Sequence, residues 1–253
     1  MTHASARREL VEIARQLNAG GLGTIGSRSG NLSVRLKGGL LITPTGVSYQ
    51  AMRSRDLVEL DAEGAPKAGQ LLPSSEWRFH RDVYRSRPEA QAIVHAHPRF
   101  ATALACLRRS IPAFHYMVAA AGGADIRCAE YATFGTAELS RHALAALEDR
   151  RACLLANHGL IAFGETLAQA LALASEVEHL AAQYCQALQI GEPAILDAAE
   201  MDRVLEKFRS YGQQKSSAGV ATTPAPPAGP EPRPAGTRPR RPRRPDPGSA
   251  RRS

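Results

Sequence analysis

Four side chains that could hold or assist a metal ion sit at three places in this chain. His95 and His97 flank Ala96 at the end of Ala92-Ile93-Val94, whose β-branched residues suit a buried strand. Alternate residues of a strand leave on the same face, so the two imidazoles share one side, and Pro98 stops the strand from running on. The plainer alternative is a polar pair finishing a strand. His158 closes a second apolar run, Ala152-Cys153-Leu154-Leu155-Ala156. Three imidazoles with one exchangeable position make the pattern of a catalytic zinc site. Glu76 and Glu165 compete for the remaining role. Glu76 follows Pro73-Ser74-Ser75, a helix start, where the helix dipole favours an ionised carboxylate. Helix-start carboxylates are also common without any such role.

Those residues need elements to hold them. Leu10, Ile13, Ala14 and Leu17 recur at helical spacing over 8–18, and Gly20-Gly21 ends that helix. A Gly-rich polar loop over 23–31 leads into alternating Leu32, Val34 and Leu36, then a turn at Gly38-Gly39 and a paired strand over 40–43. A short strand follows at 57–60. The helix opened at Ser74-Ser75 runs to about Arg85, with Glu76 in its first turn and His80 one turn on. After the His95/His97 strand come helices over 100–107 and 138–147, and a buried strand over 152–156 that 160–163 continues past His158. Two final helices cover 166–188 and 199–211. Strands and helices are interspersed, so the expected class is α/β, in the α+β layered sense.

Composition bounds the function. The chain has 253 residues and a formal charge of +8. From Gln214 onward nine basic residues face two acidic ones, so this stretch carries +7 and the body only +1. Ten of the 17 prolines lie there and no aromatic residue does, which predicts a disordered basic tail over 214–253 behind one domain over 1–213. The nearly neutral body gives no support to nucleic-acid binding; at most the tail would attract a polyanion weakly. No apolar run is long enough to cross a membrane. The opening residues lack the apolar core of a signal peptide. Cys106, Cys128, Cys153 and Cys185 are far apart and read as buried free thiols, so a cytoplasmic protein is expected.

Gly30-Asn31-Leu32-Ser33-Val34-Arg35, Thr43-Pro44-Thr45-Gly46, Pro73-Ser74-Ser75-Glu76, His95-Ala96-His97 and Asn157-His158-Gly159 occur in that order. With the runs over 111–123, 131–136 and 204–212, this sequence resembles the class II aldolase/adducin family across roughly 7–212. The resemblance implies a central, mainly antiparallel sheet flanked by helices, and a homotetramer with active sites at subunit interfaces. It implies that His95, His97 and His158 bind one zinc ion per subunit. Glu76 would be the acid/base and would also occupy the metal when no substrate is bound. Gly30, Asn31, Thr45, Gly46, Ser74 and Ser75 would hold a substrate phosphate, which agrees with Gly turns and a helix start as anion sites. Tyr116, Phe134, Phe208 and Tyr211 match positions that shape an aldehyde pocket, Tyr211 from a neighbouring subunit.

The reaction so implied is reversible cleavage of L-fuculose 1-phosphate, or a related ketose 1-phosphate, to dihydroxyacetone phosphate and L-lactaldehyde. Within the family, pentulose-phosphate 4-epimerases and sugar-phosphate dehydratases share the metal and phosphate residues. Adducin-like interaction modules lack the metal ligands, so the histidines with Glu76 argue against that alternative. A Schiff-base aldolase would need a buried lysine, and Lys37, Lys67 and Lys207 fall in a turn, a loop and an exposed helix face.

Overall fold

The structure, a computed structural model, describes residues 3–19, 22 and 29–209. The chain divides into units 1–212 and 213–253, and every described residue belongs to the first. The expected tail over 214–253, its boundary, Tyr211, Gly20-Gly21 and most of the Gly-rich loop lie outside the described residues.

Helix α1 (His3–Ala19) leads to β1 (Asn31–Leu36), β2 (Gly39–Ile42), β3 (Val58–Asp61) and α2 (Trp77–Ser86). Then come β4 (Ala92–Ala96), α3 (Arg99–Cys106), β5 (Cys128–Ala129), α4 (Ala137–Ala146), β6 (Ala152–Leu155) and β7 (Gly159–Gly164). Helices α5 (Leu167–Ile190) and α6 (Ala198–Phe208) finish the described part. The strands form one seven-stranded sheet in the order β3-β2-β1-β4-β7-β6-β5. Every pairing is antiparallel except β5 with β6, as the expected mainly antiparallel sheet requires.

Strand alternation sorts the core into two layers. Leu32, Val34, Val94, Leu160 and Ala162 pack with residues of α1, α3 and α5 on one face. Leu40, Ile42, Ile93, Ile161 and Phe163 pack with Phe79 and Val83 of α2 and Leu139 and Ala143 of α4 on the other. The central strand β4 is buried along its whole length, so its one polar residue, His95, has no exposure at all. Register places Asn31 of β1 directly beside His95 and Ile161 of β7 on its other side.

Three sequence expectations change. Residues 160–163 do not continue the strand before His158: β6 and β7 are an antiparallel hairpin, reversed at 156–158. Asn157 adopts φ +55°, a left-handed conformation that asparagine tolerates, and it is this residue that turns the chain back. Glu76 is not in the first turn of α2; it holds the position just before it, at φ −99° and ψ 13°, and its side chain makes no capping bond there. Of the four free cysteines only Cys153 is buried, and Cys106 is exposed. No helix among the described residues is long and apolar enough to cross a membrane.

Candidate metal centre and cavity

Three elements bring the candidate ligands together. His95 comes from the end of β4, His97 from the extended residues before α3, and His158 from the β6–β7 turn. Glu76 enters from the start of α2 on the same sheet face. The ligand atoms of these four residues all lie within 4.8 Å of one another. The imidazoles stand around a common point, with ring centroids 4.7, 4.8 and 4.8 Å apart pairwise. Glu165, the competing carboxylate, is not among them; it sits on the β7–α5 connection, where its backbone amide bonds Gln169.

Local contacts fix each ligand. His95 Nδ1 donates to the Leu160 carbonyl at 2.8 Å, which leaves Nε2 as the nitrogen facing the cluster, 2.8 Å from His97 Nε2. The amides of Phe100 and Ala101 at the start of α3 donate to the Glu178 carboxylate at 2.9 and 2.8 Å, anchoring the segment that presents His97. Asn157 steadies His158: its backbone amide donates to Ala105 and its side-chain amide to Cys106. Gly159 lets the hairpin touch β4, since a Cβ there would lie 2.4 Å from the Ala96 carbonyl and 2.7 Å from the His97 ring.

Glu76 is 6% exposed. Its Oε2 accepts from Asn31 Nδ2 at 2.9 Å and lies 3.1 Å from His95 Nε2; its Oε1 lies 3.2 Å from His158 Nε2. Burial alone would raise the carboxyl pKa, but the charge of His95 and His158 while those rings are protonated, with the Asn31 amide donor, holds it well below the usual carboxylate range. Burial, with His95 adding to it, lowers His97 to about 3 and His158 to about 4, so both rings are neutral near pH 7. Despite the nearby ring, Glu76 Oε1 has no hydrogen-bond partner although it is buried. A buried carboxylate oxygen without a donor, beside neutral imidazole nitrogens, fits a divalent cation among these four groups.

The cluster opens into a cavity of about 340 Å³. Gly30, Asn31, Thr45, Ser74 and Ser75 line one part of it, and Tyr131 and Phe134 the mouth. Gly46 follows Thr45 in the turn, with φ +72°. Several of the expected phosphate-site groups also make bonds within the chain. The Thr45 and Ser74 amides donate to the carbonyls of Leu72 and Thr43, and Ser74 Oγ accepts the Glu76 amide. Asn31 gives one side-chain N–H to Glu76, and the hydroxyls of Thr45, Ser74 and Ser75 remain as donors along that wall, since accepting the Glu76 amide leaves the Ser74 O–H to donate. Within one chain the cavity lining includes neither Tyr116 nor Phe208; Phe208 lines a separate cavity with Met117 and Arg151.

The residues that sequence reasoning did not single out are Ser33, His80 and Tyr84, buried in a file behind Glu76. Their signal was spacing: Asn31 and Ser33 two apart on a strand, Glu76, His80 and Tyr84 four apart along a helix.

The model of the class II aldolase and adducin N-terminal domain matches residues 8–185. Over 222 residues the chain is 57% identical to the 5-methylthioribulose-1-phosphate/5-deoxyribulose-1-phosphate aldolase of Rhodospirillum rubrum, covering 88% of this chain and 96% of that one. It is 49% identical over 206 residues to the L-fuculose phosphate aldolase of Escherichia coli K12, covering 81% and 94%. A solved L-fuculose 1-phosphate aldolase superposes with a TM-score of 0.79 at 43% identity, over 83% of this chain and 98% of its own. With the metal-ligand cluster and the sheet order already described, these matches establish that the chain belongs to the class II aldolase and adducin family.

Proposed function

We propose that this protein is a divalent-metal-dependent aldolase, with zinc the fitting ion, that cleaves a ketose 1-phosphate to dihydroxyacetone phosphate and a short aldehyde. The observation that carries this reading is the cluster of Glu76, His95, His97 and His158 opening into a cavity walled by hydroxyl side chains. Among substrates, 5-methylthioribulose 1-phosphate and 5-deoxyribulose 1-phosphate are favoured over L-fuculose 1-phosphate. The relative of that name aligns over nearly its whole length at higher identity than the fuculose phosphate aldolase. The aromatic rings of Tyr131 and Phe134, which line the cavity, also suit a methyl or methylthio end.

His95, His97 and His158 would hold the ion, with Glu76 on it when substrate is absent. When bound, the ion supplies Lewis acidity for the negative charge that develops as the carbon–carbon bond breaks. Asn31, Thr45, Ser74, Ser75 and the Gly30 and Gly46 turns bind the phosphate and so set which carbons face Glu76. Glu76, ionised at neutral pH, moves the proton at the carbon that ends in dihydroxyacetone phosphate. Tyr211, outside the described residues, is the proposed donor to the aldehyde oxygen. With Tyr116 and Phe208 it would reach the cavity of a neighbouring copy in a homotetramer. Lys37, Lys67 and Lys207 are all exposed, which disfavours Schiff-base chemistry.

The test is a panel of the three ketose 1-phosphates with release of dihydroxyacetone phosphate as readout, together with metal analysis. About one zinc per chain and fastest cleavage of the 5-deoxy or 5-methylthio substrate are expected. His95→Ala should lose metal and turnover together. Full turnover after chelation would defeat the metal-dependent reading.

A further inference from the structure

From Glu76 and Asn31 at the cavity wall inward, five polar side chains form one buried file. Asn31 and Ser33 are alternate residues of β1 and face α2. Glu76, His80 and Tyr84 follow at four-residue intervals along α2 and face β1. The two spacings mesh. Asn31 Nδ2 meets Glu76 Oε2 at 2.9 Å, and Asn31 Oδ1 meets His80 Nε2. His80 Nδ1 meets Ser33 Oγ at 2.7 Å, and Ser33 Oγ meets the Tyr84 hydroxyl at 2.7 Å. None of the five is more than 6% exposed.

The direction of every bond in this file follows from one end. An ionised carboxylate only accepts, so the Asn31 atom facing Glu76 must be its NH2 group. Its carbonyl oxygen then faces His80, whose Nε2 must carry the proton. Burial holds the His80 pKa down at about 3, so the ring is neutral and Nδ1 is bare. Ser33 must therefore donate to Nδ1, and its own oxygen accepts from Tyr84. The Tyr84 end is pinned in turn, because the Arg35 guanidinium lies over its ring and donates to its carbonyl at 2.7 Å. With the amide of Asn31 reversed, two acceptors would oppose each other at Glu76 and two donors at His80.

We propose that His80 is a positioning residue for Glu76. Its neutral, Nε2-protonated tautomer, set by Ser33 and Tyr84, locks the Asn31 amide with its NH2 group on the carboxylate. Glu76 is thereby aimed at the histidine cluster. The inference rests on the reading of Glu76 as the proton-transfer group. It also gives Asn31 a second task beside the phosphate role that family likeness implies.

The experiment uses the full chain with zinc. His80→Phe keeps a ring to stack on Phe79, now at 4.6 Å between centroids, but removes both nitrogens. Its kcat should fall about 10- to 100-fold, as for other residues that orient ligands, with KM nearly unchanged. His80→Gln, whose amide can donate to Asn31, should recover most of that loss. In an Asn31→Ala background, His80→Phe should change kcat by no more than about twofold, because the path through Asn31 is already cut. An equal loss in both backgrounds, or a loss confined to KM, would overturn the proposal. A 15N spectrum of the histidine-labelled native protein needs no variant: bare Nδ1 and protonated Nε2 at His80 are expected, and the opposite tautomer rejects the file. If the native protein cleaves none of the three substrates, the aldolase reading falls. The tautomer and the zinc affinity of the same variants then decide this inference: weaker binding in His80→Phe alone supports it, and equal weakening with and without Asn31 overturns it.

Discussion

Glu76 combines two properties that a single substitution separates. It is one of four groups able to hold an ion, and the only carboxylate among them. Glu76→Gln leaves three imidazoles, so zinc content should stay near native. The amide cannot take up a proton, so solvent-deuterium exchange into dihydroxyacetone phosphate should drop, by about a hundredfold to ten-thousandfold if Glu76 is the base. Native exchange rates in that variant would remove it from the proton-transfer role. At this scale much of the site was readable from the sequence. His95, His97, His158 and Glu76 are few, chemically distinctive and placed at element ends. Ser33, His80 and Tyr84 were harder, because a neutral polar residue on an amphipathic element looks solvent-facing until its burial is known. Here burial comes from β1 and α2 packing their polar stripes against each other next to Phe79 and Ile93.

The β6–β7 hairpin shows why elements were harder to read than residues. Its turn, Ala156-Asn157-His158, has no Gly or Pro pair to announce a reversal, and the apolar runs on either side look like one strand. Only the left-handed Asn157 reverses it. The hairpin matters because it carries His158 and presses Gly159 against β4. In Gly159→Ala the new methyl would meet the Ala96 carbonyl, a backbone atom between two paired strands that has no room to yield. The hairpin must then lift from β4, separating His158 from His97. We expect Gly159→Ala to lose about 1–3 kcal/mol of stability by urea titration and to bind zinc more weakly. Gly191→Ala, where a Cβ would meet nothing within 4 Å, serves as the control and should match the native protein. Equal zinc affinity in both variants would show that the hairpin's approach to β4 does not set the ligand geometry.

At the scale of the whole molecule, periodicity identified most strands and helices but not the sheet order. No local signal says that β4 inserts between β1 and β7, or that β5 pairs parallel to β6. Those choices come from packing both sheet faces at once, and they also bury His80 and half-bury His97 and His158. The fold therefore holds neutral histidines whose preference for a proton it must oppose. Burial lowers His80 and His97 to about 3 and His158 to about 4, against an ordinary value of 6.5. As pH falls below 6.5 the unfolded chain takes up protons at these positions while the folded chain does not. The unfolded state then binds more protons, so stability declines with falling pH across roughly 6.5 to 3. Glu59 acts lower down. Lys67 and Arg7 hold its carboxyl at about 2, so its stabilisation is present above 4.5 and is lost as pH falls towards 2. Between pH 6.5 and 5 the histidines should dominate. The chelator-treated protein should show a falling melting temperature across that interval, and the fall should be shallower in His80→Phe, which removes one of the three groups. With zinc bound the decline should steepen as protons and metal compete for the same imidazole nitrogens. A melting temperature that is flat from pH 6.5 to 5 in the chelated protein would mean that the histidines take up protons as readily in the folded chain as in the unfolded one.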